Sequence, residues 1–192
     1  MVDQSSHGRA SAAGPLAAFA ALALIWGYNW VVMKIGLGHA GPLEFSALRC
    51  TLGALVIFAA LAIAKVPLTL RHTGMTILLG LFQTSGFVGL VSWSLTLGAA
   101  GKNAVLAYTM PFWVIAFGWP FLPDRLRGAQ WIAVGLALVG LVLVLELWNH
   151  EGGWLSSALA LGGGASWGIS VVVFKRIPLR NRHELLALTA WQ

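Results

Sequence analysis

The chain has 192 residues, of which 58% are apolar and only 9% charged, and it carries a net charge of +6. Soluble domains carry about 25% charged residues, so this composition excludes an ordinary soluble domain and makes the bilayer the natural solvent. The basic residues are scattered between apolar blocks rather than gathered on one stripe, which argues against nucleic acid as a partner.

Taken in order, the chain opens with residues 1–15, read as a flexible cytoplasmic tail. Arg9, an apolar run from Leu16 and the box Ala21-Leu22-Ala23 imitate a signal peptide. The run continues through Ile25, Trp26 and Val32, longer than a signal core of roughly 7–15 residues, so it reads as a retained first helix. A membrane span needs about 20 mostly apolar residues. The predicted spans are 16–37, 44–64, 74–98, 103–122, 129–147 and 154–175, with a seventh beginning near Glu184. Gly36, Gly38, Gly41 and Pro42 separate the first two. Lys65, Pro67, Arg71 and His72 precede the third. Gly98, Gly101 and Lys102 form a tight turn before the fourth. Pro123-Asp124-Arg125-Leu126-Arg127 precedes the fifth, and Glu146 to Gly153 the sixth. The single cysteine, Cys50, excludes an intrachain disulfide and reads as a small hydrophobe.

Two segments repeat. Trp26-Gly27-Tyr28-Asn29-Trp30-Val31-Val32-Met33-Lys34 matches Trp167-Gly168-Ile169-Ser170-Val171-Val172-Val173-Phe174-Lys175 in five of nine columns, with an offset of 141 residues. Four spans lie between them, so the unit has five helices and its second copy enters the membrane inverted. Loop charge agrees. With a cytoplasmic N-terminus, Arg9, Lys65, Arg71, Arg125, Arg127, Lys175, Arg176, Arg180 and Arg182 fall inside, and Lys34, Arg49 and Lys102 outside. Lys34 and Lys175 then lie on opposite faces, each at the C-terminal end of its helix, where a cation is favoured.

The residues that follow resemble the drug/metabolite transporter superfamily, in particular its EamA-type members, over positions 16–192. They are Trp26-Gly27-x-Asn29; Pro42 through Arg49; Ala104 through Pro111; Gly128-Ala129-Gln130-Trp131-Ile132 with Gly135 and Gly140; Ser166-Trp167-Gly168; and Thr189-Ala190-Trp191-Gln192. The family usually has a glutamate after the fourth helix, and Asp124 stands there in this chain. The resemblance implies an all-α polytopic bundle of ten helices in two five-helix inverted repeats. Residues 16–147 would be the first repeat and 154–192 the start of the second, so the chain reads as the N-terminal part of a longer protein. It also implies that helices one to four and their counterparts line a midplane cavity, with the fifth peripheral. The expected substrates are small metabolites such as amino acids, or drugs, usually exported.

Several residues are candidates for that pathway. Arg49, near the start of the second helix, either meets substrate or a gate, or snorkels to headgroups. Glu44 reads as a helix N-terminal charge. Asn29 either lines a cavity or makes an interhelical bond, and Ser170 holds its column in the second copy. Gln83, with Thr84 and Ser85, interrupts the third helix as pathway or as packing glue. Pro111 lies in the middle of the fourth helix as a hinge, a break or a static kink, with Tyr108 one turn before it. Trp26, Trp113 and Trp167 are candidates for an aromatic cavity, whereas Trp148 and Trp154 read as interface anchors.

Gly164-Ala165-Ser166-Trp167-Gly168 spells a hydrolase elbow as well as a small-residue packing motif. The elbow needs a strand-to-helix turn and triad partners, so packing is the better reading. The five histidines lack metal-ligand spacing and no phosphate-binding glycine loop occurs, so neither a cofactor nor ATP drive is implied. The expected function is secondary transport by alternating access in the inner cell membrane. The alternatives are an intramembrane enzyme or a structural membrane subunit. The expected partners are the bilayer and a small-molecule substrate, with homodimerisation left open.

Overall fold

The computed structural model describes residues 13–122, 127–144 and 153–192. The tail through residue 12, the connection holding Asp124 and the one holding Glu146, Trp148 and Glu151 lie outside the described residues. Helices α1 (Ala13–Gly36) and α2 (Pro42–Ile63) form the first two spans. The third is α3 (Thr73–Leu79), a π-helical turn π1 (Gly80–Gly86) and α4 (Phe87–Leu97). The fourth is split into α5 (Ala100–Ala107) and α6 (Met110–Gly118). Helices α7 (Ala129–Val144), α8 (Gly153–Phe174) and α9 (Arg182–Trp191) follow.

Local chemistry accounts for the helix ends. Pro42 opens α2, where its missing N–H costs nothing. The Glu44 carboxylate turns back to accept the Gly41 N–H at 3.3 Å. The α2 C-terminus closes with Val66 N–H on the Leu61 carbonyl and Lys65 N–H on that of Ala62, with Lys65 at φ 52° in the left-handed position usually filled by glycine. Asn181 caps α9 by accepting the Glu184 N–H at 2.9 Å.

Four described segments are long and apolar enough to span a bilayer: Gly14–Gly36, Pro42–Ile63, Thr73–Leu97 and Gly153–Phe174. Leu16, Phe19, Leu24 and Ile25 of α1 and Leu55 and Val56 of α2 are exposed. In water such faces would drive association; in a bilayer they meet acyl chains.

The sixth span occupies the centre. In α8, 39% of the most apolar window is buried, against 11% in α1 and in α2. Its glycines let neighbours approach closely. A Cβ on Gly163 would stand 2.8 Å from Val91 Cγ2, and one on Gly168 would stand 2.6 Å from Trp113 Cβ. The small-residue reading of this segment therefore matches its packing. Ser166, the apparent elbow serine, donates to the Phe82 carbonyl at 2.7 Å. That carbonyl lies in π1, so α8 helps satisfy the backbone of the widened turn. Gly86 accommodates the same serine, whose Oγ a Cβ would strike.

Of the readings open for Pro111 in the fourth span, 103–122, the structure shows a break. The span breaks at Tyr108 and Thr109, and α6 restarts with Pro111 in its first turn. Pro111 has no N–H for the Ala107 carbonyl four residues earlier. Lys34 differs from expectation. Its ammonium does not stay on its own helix but donates to the Leu95 carbonyl and, at 2.9 Å, to that of Gly98, closing the C-terminus of α4. Cys50 is half-buried rather than in the core.

Candidate functional site

Consecutive spans alternate direction, so the end of α1, the start of α2, the end of α4 and the start of α5 share one face of the bundle. The Lys34 bridge from α1 to the end of α4 ties them there. Asn29 lies seven residues before Gly36, Arg49 seven after Pro42, Val91 six before Leu97 and Tyr108 eight after Ala100. At 1.5 Å per helical residue, all four sit roughly 9–12 Å below that face.

At this depth they enclose a cavity of about 40 Å³. Helix α1 supplies Trp26, Asn29, Trp30 and Met33, spaced three and four apart on one stripe. Helix α2 supplies Arg49, α4 supplies Phe87, Val88 and Val91, and the break in the fourth span supplies Tyr108. The Trp30 indole N–H donates to the Tyr108 hydroxyl at 3.0 Å, with the rings T-shaped at 5.7 Å. The Asn29 amide donates to Met33 Sδ at 3.4 Å, and Arg49 Nη1 donates to the same sulfur at 2.8 Å. Asn29 thus bonds within α1 rather than across to a neighbouring helix. Arg49 has no carboxylate within ion-pair distance among the described residues, since Glu44 is turned to Gly41 and Glu184 pairs with Arg71 at 3.0 Å.

Of the residues singled out from the sequence, the structure brings Trp26, Asn29, Arg49 and Tyr108 together on this cavity. Gln83, Trp167 and Ser170 are not on its wall. Gln83 is half-buried in π1. Trp167 packs edge-on against Phe87 at 4.8 Å, one layer behind the cavity. Ser170 is fully buried and donates to the Trp167 carbonyl at 2.7 Å, so it does not pair with Asn29. Trp113 stacks on Phe117 and donates to Thr109 Oγ1 at 3.1 Å. Pro111 lines a separate apolar groove of about 490 Å³ between α6 and α7, and Tyr108 is common to both spaces.

Sequence reasoning passed over Met33, whose signal was its place four residues after Asn29 on the same helical stripe. It also missed the buried polar network behind the site. Asn103 donates to the Ser94 carbonyl at 2.7 Å, and the one hydroxyl proton of Ser156 is shared between Asn103 Oδ1 and the same carbonyl, each at 3.0 Å. The Ser46 and Ser92 hydroxyls meet at 2.8 Å, joining α2 to α4. Single serines and an asparagine in apolar runs carry no mark of partners so distant in the chain.

Comparison with known proteins identifies the family. Residues 13–146 match the EamA-like transporter family. The chain is 32% identical over 174 residues to the uncharacterized transporter YoaV of Bacillus subtilis, covering 88% of this chain and 59% of that protein. It is 29% identical over 174 residues to a probable amino-acid metabolite efflux pump of Escherichia coli K12, covering 88% and 56%. It is 27% identical over 162 residues to the uncharacterized inner membrane transporter YedA of the same organism, covering 83% and 52%. The chain therefore spans little more than half the length of these relatives, and no solved structure matches it significantly. An all-helical set of apolar spans with this match means that the chain belongs to the EamA-like transporter family, as a multi-pass membrane protein.

Proposed function

We propose that the chain contributes the first five-helix repeat, residues 16–147, and the start of an inverted second repeat, residues 154–192, to a secondary transporter of the inner membrane. It exports small metabolites, amino acids or drugs, by alternating access, with its N-terminus cytoplasmic. The observation that carries this reading is the cavity of Trp26, Asn29, Arg49 and Tyr108, set below one face beside a broken span. Cavities bounded by interrupted helices are where transporters hold solutes at membrane depth. The relatives named as an efflux pump and as an inner membrane transporter support the direction and the location, and the loop charges support the orientation.

Flux through the intact protein in proteoliposomes tests this. Arg49→Ala and Asn29→Ala are expected to abolish flux while membrane insertion stays normal. Unchanged flux in both would overturn the site. A reporter fused after Arg182 is expected on the cytoplasmic side, and a periplasmic signal would overturn the orientation.

A further inference from the structure

Three other cations among the described residues end on good acceptors. Lys34 rests on two carbonyls, Arg71 on the Glu184 carboxylate and Arg176 on the Phe121 carbonyl at 3.1 Å. Arg49 is different. Its guanidinium, with five donors, meets a thioether, and the Asn29 amide converges on the same sulfur. A thioether is a weak acceptor. Two strong donors aimed at one weak acceptor, on the wall of a cavity, form a site built for a better one.

We propose that Arg49 and Asn29 form the seat for the carboxylate of an amphipathic monoanionic substrate, with the Met33 sulfur as the acceptor that this carboxylate displaces. The charge fits one negative head. Among the described residues Arg49 is the single cation on the cavity wall, and Lys34 close by is engaged with carbonyls, so a dianionic phosphate would find only half its countercharge. Size fits as well. A cavity of about 40 Å³ holds about three waters, or one carboxylate group, at roughly 10–15 Å³ each. The body of the substrate has no room inside that space and extends from it over the exposed faces of Trp26 and Tyr108, aromatic surfaces that favour an apolar or aromatic group. Guanidinium and carboxylate match in geometry, and a charge-assisted bond is about twice as strong as a neutral one.

This inference rests on reading the cavity as the substrate pathway, and its test separates the two. The intact protein is placed in phosphatidylcholine nanodiscs and titrated with 3-phenylpropionate, 3-phenylpropionamide and 3-phenylpropylamine, which share one apolar body. The carboxylate is expected to bind at least about tenfold more tightly than the amide, the size of a lost charged hydrogen bond, and the amine more weakly still. Arg49→Gln is expected to bring carboxylate and amide within about threefold of each other. Met33→Leu keeps the volume, removes the competing acceptor, and is expected to tighten carboxylate binding while leaving the amide unchanged. Equal binding of carboxylate and amide, a preference that survives Arg49→Gln, or weaker carboxylate binding in Met33→Leu would each overturn the proposal. In proteoliposomes, flux without any preference for the carboxylate overturns this inference alone. Charge-selective binding without flux overturns the transport reading and leaves the carboxylate seat standing.

Discussion

Polar side chains inside an apolar span serve two different ends in this protein, and the residues themselves look alike in the sequence. Asn29 and Asn103 are both asparagines within apolar helices. Asn29 faces a cavity and bonds weakly to a sulfur in its own helix. Asn103 is 1% exposed and joins α5 to α4 and α8 through Ser94 and Ser156. Interhelical side-chain bonds in membranes contribute about 0.6 kcal/mol each and reach about 1.7. Asn103→Ala, which removes two of them, is expected to cost about 1–2 kcal/mol, read as a shift in the midpoint of unfolding in a denaturing detergent. Asn29→Ala breaks no bond between helices, so that midpoint is expected to move by less than about 0.5 kcal/mol. A large shift for Asn29 would make it packing glue. The difference was not legible in the sequence, because it lies in partners 53 residues away for Asn103 and four residues away for Asn29. Arg49 was legible, since a cation inside an apolar run declares itself by cost alone.

The interrupted elements pair with glycine and serine positions on α8. Pro111 withdraws the N–H that the Ala107 carbonyl would accept, and the chain turns at Tyr108 and Thr109. The freed carbonyl faces Gly164, where a Cβ would stand 2.9 Å from Ala107 O and 3.0 Å from Thr109 Oγ1. Backbone at that distance has little room to yield. Gly164→Ala is expected to destabilise the protein by about 1–3 kcal/mol, as overpacking does, and to gain no rescue from Thr109→Ser, which keeps both the hydroxyl oxygen and the carbonyl in place. Wild-type stability in Gly164→Ala would mean that the break is not packed as described. The sequence marked Pro111 as an interruption and Gly164 to Gly168 as a packing face. It did not pair them, because nothing in either segment states which helices touch. The polar triplet around Gln83 is similar. Its composition marked a polar interruption, pathway or packing glue, but not the widened helix, whose Phe82 carbonyl is met by Ser166 of α8.

At the scale of the molecule, the span order was readable from glycine, proline and charge, since these residues end helices by local rules. The centre was not. In chain order α8 opens the expected second repeat, yet it is packed against α4, α5 and α6 of the first. Apart from Val172, its buried residues are small: Ser156, Ala160, Gly163, Gly164, Ser166, Gly168 and Ser170. Lipid is as apolar as a leucine surface, so a helix is held in a membrane bundle by close backbone approach and by hydrogen bonds. Here α8 provides both, accepting α4 at Gly163 and α6 at Gly168 while donating from Ser156 and Ser166. A chain ending at residue 147 would keep the first five spans and lose these contacts. The Ser94 carbonyl would retain Asn103, whereas Asn103 Oδ1 would lose its serine donor and the Phe82 carbonyl its side-chain donor. In hydrocarbon no water replaces them. Such a chain is expected to insert yet to elute as aggregate in mild detergent, and coexpression of a separate segment beginning at residue 148 is expected to restore a monodisperse species. A monodisperse, thermally stable product from residues 1–147 alone would show that the first repeat closes on itself and that α8 is an addition to it rather than its core.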